Sequence, residues 1–433
     1  MSRILSVALA LAVVHPALVH AQDTALSQIL VELIQADVRL APPPSGSTFP
    51  THEAHFLPGE TQVLTPYLFN QAIVSQLSSY PLGSSSGGFT YTFDSGLGTY
   101  SRSSNTFGPS FAERALTIGR GRFNVGTNYQ HARFSSFEGK DLDGGDIRFY
   151  LTHQPSGGQF FEGDLVETEL DLELKTDTVS LLANYGVTSR FDIGVAVPII
   201  HVSLDASVKA NVLRLATANQ PAIHVFPGGG DTATFSDSGS ATGFGDILVR
   251  GKYHFLAMSG GGLAAAVDVR LPTGNEDNLL GTGATQAKFY LIGSSATSRF
   301  APHFNVGYTV SGESSNPFVN VTDEFNYVFG TEIQASERLT VNVDILGRQL
   351  RDSGRLVEEA RAFFFTPQGG QPSSRTFNEF ALRDGNLNLL TTALGVKVNV
   401  ARNLLISANL LLPVTSSGLR SNPVPVIGID YAF

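Results

Sequence analysis

Ionisable side chains recur at even spacing through the middle of this 433-residue chain. Asp246, Arg250, Lys252 and His254 share one parity, Asp268 and Arg270 stand two apart, and Lys288, His303, Asp344 and Arg348 follow in later segments. Even spacing puts side chains on one face of a strand. A face of mixed sign suits two chemistries. It can line the path of a solute, or fill an interior with ion pairs that stiffen the wall, and the residues leave both open. Metal and hydrolytic chemistry find less support. The ten His residues show neither HxH nor HExxH spacing and there is no Cys, so no metal and no cofactor are expected. His52 and His55, with Glu53 between, sit in a Pro-rich stretch and read as solvated. No Ser lies on the strand-to-helix turn of nucleophilic hydrolases, so the chain is not expected to be an enzyme. The run Phe363-Phe364-Phe365 sits in a long loop. There it either captures an apolar solute or folds back as a cap on the chain's own core.

From Phe89 onward the apolar pattern has a period of 2. Phe300, Phe304, Val306, Tyr308 and Val310 oppose His303, Asn305, Gly307 and Thr309; Leu339, Val341, Val343 and Ile345 alternate with Thr340, Asn342 and Asp344. Strands are predicted near 89–94, 110–118, 122–136, 164–187, 190–206, 244–257, 263–272, 285–295, 300–311, 325–335, 339–351, 387–399, 404–414 and 423–433. That makes about fourteen, or twelve if the weak first two are set aside. Short turns such as 188–190, 335–338 and 400–403 alternate with long connections at 207–243 and 352–386, the asymmetry of transmembrane barrels. The fold class expected is all-β, a transmembrane antiparallel up-and-down barrel over 88–433. Residues 22–87 differ. Leu26, Ile29, Leu30, Leu33 and Ile34 recur at helical spacing, as do residues between Val63 and Leu77, so a partly helical, plug-like segment is expected there.

Both ends read as addresses. Arg3 precedes an apolar run from Ile4 to Val14, and Val19-His20-Ala21 supplies a cleavage pattern, so 1–21 is expected to be a signal peptide. Ile427, Ile429, Tyr431 and Phe433 form one face of the last strand, the pattern that the barrel assembly machinery takes up. Only 15% of residues are charged, below the roughly 25% of soluble domains. The net charge of −10 argues against a nucleic-acid partner. The expected location is the bacterial outer membrane, with lipid and lipopolysaccharide around the wall.

Three runs carry a resemblance: Phe111-Ala112-Glu113-Arg114-Ala115-Leu116-Thr117-Ile118-Gly119-Arg120-Gly121, the stretch Asn184 to Pro198, and Arg270-Leu271-Pro272-Thr273-Gly274-Asn275-Glu276-Asp277 with Leu279-Leu280-Gly281-Thr282-Gly283. Over roughly 110–433 the chain resembles the outer-membrane family named for the MetA pathway of phenol degradation, related to long-chain fatty acid and aromatic hydrocarbon transporters. The resemblance implies an outer-membrane channel for passive uptake of small hydrophobic or aromatic compounds. The alternative is a structural or surface-interaction barrel with a closed lumen.

Overall fold

The computed structural model describes residues 25–42, 56–58, 73–74, 76–77, 81–84, 88–94, 99–102, 104–153, 158–258, 260–295, 299–315, 321–383 and 385–433. The expected signal peptide, the His52–His55 pair and most of the helical pattern between Val63 and Leu77 lie outside the described residues.

The wall is a closed antiparallel barrel of twelve strands. They are β1 (Phe123–Phe137), β2 (Leu165–Gly186), β3 (Phe191–Leu213), β4 (Ile247–Met258), β5 (Gly261–Leu271) and β6 (Gln286–Ser295), then β7 (Phe300–Ser311), β8 (Glu324–Ser336), β9 (Leu339–Leu350), β10 (Leu387–Ala401), β11 (Leu404–Pro413) and β12 (Val424–Ala432). Each pairs with the next, and β12 returns to β1 with Ile427 opposite Tyr129 and Tyr431 opposite Val125. Closure leaves no edge to lipid and gives the wall's backbone groups partners. No helix among the described residues is long and apolar enough to cross a membrane. The count of fourteen is therefore corrected to twelve. Residues 89–94 belong to a separate two-stranded piece, Tyr91–Asp94 with Thr99–Arg102, and 110–118 forms no strand at all.

Connections at 187–190, 337–338 and 402–403 are short, whereas those at 138–164, 214–246 and 351–386 are long. By the usual asymmetry the short-turn end is periplasmic and the long-loop end faces outward. Two predicted loops carry more strand than expected. β3 runs on to Leu213 and pairs there with Thr232–Phe244, and the segment 352–386 holds a hairpin of Arg355–Phe365 with Ser373–Arg383. In Thr232–Phe244 and in the hairpin, polar residues alternate with small or mixed ones and no apolar period marks them, whereas β3 beyond 206 continues its apolar row with Val208, Ala210 and Val212.

β2 explains how one wall serves two surroundings. Its outward side chains Glu167, Glu169, Asp171, Glu173, Lys175 and Asp177 give way to Val179, Leu181, Ala183 and Tyr185. On β3 the outward row changes at the same height, from Asp205, Ser203 and His201 to Ile199, Val197, Val195 and Ile193. The register pairs Asp177 with His201 and Val179 with Ile199, so the two changes are level. Below that line the outward belt continues around the barrel with exposed Tyr308, Phe329, Ile345, Val396 and Ile427. Such a band is far too extensive for a water-facing surface and is the face a barrel turns to lipid. Above it, the inward rows Leu170, Leu172, Leu174 and Val202, Leu204, Val208 enclose an apolar core. The helix α1 (Leu26–Glu32) contributes Leu26, Ile29 and Leu30 to it.

Candidate functional site

The barrel is not empty. Residues 104–118 enter its lumen from the periplasmic end, reach mid-height near Glu113 and return to that end. Non-strand backbone at membrane depth must find partners in the protein, and the inward side chains of the wall supply them. The Phe107 amide donates to Thr340 Oγ1 (3.1 Å) and the Gly108 amide to Glu332 Oε2 (3.2 Å). Asn305 grips one residue twice: its Oδ1 accepts from the Glu113 amide (2.7 Å) and its Nδ2 donates to the Glu113 carbonyl (2.9 Å). The Ala115 amide donates to Ser294 Oγ (3.0 Å) and that of Ile118 to Asp192 Oδ2 (3.1 Å). Lys252 Nζ donates to the carbonyls of Arg114 (3.1 Å) and Leu116 (3.0 Å), and Lys397 Nζ to that of Pro109 (2.8 Å). Gly119 and Gly121 then take φ of +98° and +70°, a left-handed turn suited to glycine that carries the segment out of the lumen and into β1.

Charge fastens the segment as well. Arg114 and Glu332 form an ion pair, both side chains almost fully buried. His303 stands 3.7 Å from the same carboxylate and 2.7 Å from Asp344. Glu113 pairs with Arg250, which also makes a two-pronged contact with Asp268 at 2.6 Å on each side. Tyr290 OH donates to Asp268 (3.0 Å), and Lys288 approaches it at 3.4 Å while lying 4.6 Å from the Tyr290 ring centre. Earlier chain joins in. Ser84 Oγ donates to Glu113 Oε1 (3.1 Å), and Asn128 Nδ2 donates to the Leu82 carbonyl (3.2 Å).

Between this filling and the wall lies a cavity of about 210 Å³. Of the charged residues singled out in the sequence, Arg250, Asp268, Arg270, Lys288 and Arg348 line it. Lys252, His303 and Asp344 are buried deeper, under the segment. Asp246 is placed differently. It accepts from the Gly274 amide (3.1 Å) and from the Thr282 amide and hydroxyl (2.9 Å each), so it pins the outer connection 272–285. His254 is buried beside the short turn that follows β4. The three phenylalanines lie on a strand. Phe363 packs on Tyr150, Leu165 and Phe377, Phe365 is half-buried, and Phe364 is 82% exposed.

Glu113, Arg114, Asp192, Glu324, Glu332 and Lys397 were not singled out in the sequence. The last four lie at inward parity on their strands, beside apolar outward neighbours, and that signal was readable. Glu113 and Arg114 stand inside 110–118, where the sequence predicts a wall strand and none forms. Among the described residues no three His, Asp or Glu side chains gather as a metal site.

A second polar knot holds the outward lobe. Asp164 accepts from the amides of Ala216 (2.8 Å) and Thr217 (3.1 Å), while His224 Nδ1 lies 2.8 Å from its other oxygen. Burial alone would raise this carboxyl. The contacts from His224, Thr217 and Ala216 outweigh burial and hold it below the ordinary carboxylate range. Phe56, His153 and Phe161 pack around the His224 ring.

Residues 163–355 match the family described as "Putative MetA-pathway of phenol degradation". The span includes the second and third of the runs that carried the resemblance, which is thereby borne out. No curated protein matches the chain. An outer membrane channel from Pseudomonas putida F1 is similar in structure, at 10% identity and a TM-score of 0.45, over 74% of this chain and 99% of that one. A Pseudomonas aeruginosa FadL homologue is 10% identical with a TM-score of 0.31, over 72% and 89%. The Pseudomonas putida toluene transporter TodX is 10% identical with a TM-score of 0.26, over 83% and 99%. At scores this low the barrel stands on its own strand pairing.

Proposed function

We propose that this chain, which carries the phenol-degradation family's sequence over residues 163–355, is an outer-membrane channel for passive uptake of small hydrophobic or aromatic compounds. One observation carries the reading. A closed wall with a lipid-facing belt surrounds a lumen filled by a separate, clamped segment, and a cavity remains between the two. The family's name supplies the solute class, and the apolar part of the cavity wall, with Phe111, Phe134, Leu248 and Leu346, suits it. Residues 22–87 and 104–118 act together as the occluding element. The charged lumen residues form the path's polar wall, and Phe364 is the exposed capture residue of the outer hairpin. Residues 1–21 serve as signal peptide, the strand ending at Phe433 engages the assembly machinery, and lipopolysaccharide surrounds the outer rim.

A closed-lumen barrel is the second reading, and the buried Arg114–Glu332 pair favours it. Planar-bilayer conductance separates the two. Deleting 22–80 behind an intact signal peptide is expected to raise the conductance of a barrel that still shifts on gels between unheated and boiled samples. No openings in either form would favour the closed barrel.

A further inference from the structure

The lumen segment is fastened unevenly. The hydrogen bonds and ion pairs of 104–118 described above run to β3, β4 and β6–β10. Asn342 of β9 adds one more, its Nδ2 donating to Ser110 Oγ (3.0 Å). Toward β11 and β12 the segment has an apolar contact instead, where Phe107 shares a buried cluster with Phe89, Leu405 and Ala432. Two stretches, 104–110 and 113–118, carry all of these polar bonds. Phe111 stands between them and takes part in none.

Two cavities meet at Phe111. It lines the cavity of about 210 Å³ and also a smaller one of about 10 Å³, room for about one water. No other described residue lines both. The smaller cavity lies nearer the periplasm. Lys397, Ser407 and Asp430 reach it from the ends of β10, β11 and β12 that adjoin the short turn 402–403 and the C-terminus. Leu389 and Thr391, at the outer end of the same β10, line the larger one. The two spaces thus follow one another down the less fastened side of the lumen, with Phe111 between them. Withdrawing the whole segment would break the Arg114–Glu332 and Glu113–Arg250 pairs and strand buried charge, which is costly. Turning one half-buried phenyl ring from one staggered rotamer to another breaks no polar bond. We infer that Phe111 is the gate of this lumen: solute leaves the larger cavity past its ring, enters the smaller one and continues to the periplasm along β10–β12 and β1. The inference rests on the proposed channel and adds its route and its gating residue.

Full-length protein in planar bilayers tests the gate, and the gel shift between unheated and boiled samples certifies that each variant is folded. Openings are expected to be at least fivefold more frequent in Phe111→Ala and at least fivefold rarer in Phe111→Trp. The chain has no cysteine, so single thiols can report the route. In the Phe111→Ala background, benzyl methanethiosulfonate is expected to at least halve the current of Ser407→Cys, beside the smaller cavity. It is expected to leave that of Ser294→Cys, on the fastened side, unchanged. Equal block at both positions would mean that the substitution loosened the whole segment, and the gate would fall. Openings that follow neither Phe111 variant overturn it as well. The deletion of 22–80 separates this from the wider reading. If the deletion raises conductance while both Phe111 variants behave as the natural protein does, the channel stands and the gate falls. If no form opens, both fall.

Discussion

The two ends of β2 and β3 are built on opposite plans. Below Val179 and Ile199 the wall is apolar outside and polar inside; above them it is charged outside and apolar inside. The lower section faces lipid and can keep charge only in its interior, where each polar group needs a partner, and the segment 104–118 supplies many of them. The upper section stands in water and holds together as a soluble domain does, by burying α1 and the rows Leu170–Leu174 and Val202–Val208. The same strand pair thus obeys two solvents, and the switch costs it only a change of parity. The lesson concerns stability as much as location: the lower filling depends on ion pairs and hydrogen bonds, the upper lobe on apolar area.

The comparison breaks most readily at the lumen clamp. Glu332→Ala strands Arg114 in a buried site, a loss of about 3–5 kcal/mol for a broken buried pair. The lumen segment is expected to leave its place, and channel openings in planar bilayers to become roughly 100-fold more frequent or more. Unchanged conductance from an inserted variant would show that the segment does not occlude. In the upper lobe the matching test is Leu30→Ala, which removes a fully buried side chain of α1. A cost of about 2–5 kcal/mol is expected. It should appear as faster amide exchange over 25–40 with the gel shift of the barrel intact. If barrel and helix loosen together, the two sections are not independent.

The boundary is sharpened by charge on the outward face. Phe329→Arg places a cation in the belt at mid-strand and is expected to cost about 2–4 kcal/mol near the midplane, whereas Thr309→Arg points inward and should be milder. The folded fraction recovered in lipid vesicles at graded urea measures both. Equal losses would mean that the faces are assigned wrongly.

All twelve wall strands were legible, because an apolar row at period 2 beside a lipid belt leaves little ambiguity. The inward direction of Lys252, His303 and Asp344 followed from the same row. The lumen segment was not legible. Phe111, Ala112, Ala115 and Ile118 mimic a strand's apolar content, and only the partners of Glu113 and Arg114, some 140 to 220 residues away, reveal that it belongs inside. The end of β3 beyond 206 and its partner Thr232–Phe244 escaped for the opposite reason. The outward side chains Ser207, Lys209 and Asn211 are polar, and the partner's inward row of Ala233, Phe235, Asp237 and Gly239 carries too little apolar area to mark a strand, although Val208 and Val212 continue the inward row of β3. Of the two roles that the sequence leaves open for Phe363, packing on the chain's own core is the one that Tyr150 and Phe377 fulfil.

The smallest effect expected is the one that pH controls. Asp164 is held below its ordinary value by His224, Thr217 and the Ala216 amide despite burial. A carboxyl depressed in the folded state contributes stability above its unfolded value, about 3.9, and loses it as pH falls through the folded value. The outer connection 214–231 is therefore expected to resist proteolysis at pH 7 and at pH 5, and to become cleavable by pepsin only well below pH 4. Asp164→Asn keeps the shape but gives up the charge-assisted bonds, a loss of about 1–3 kcal/mol. In that variant the loop should already be cut faster at pH 7, and the acid step should vanish. The lumen clamp offers the internal control, since conductance should not follow this transition if the two sections are independent. An acid step that persists in Asp164→Asn would assign the upper lobe's acid sensitivity to other carboxylates.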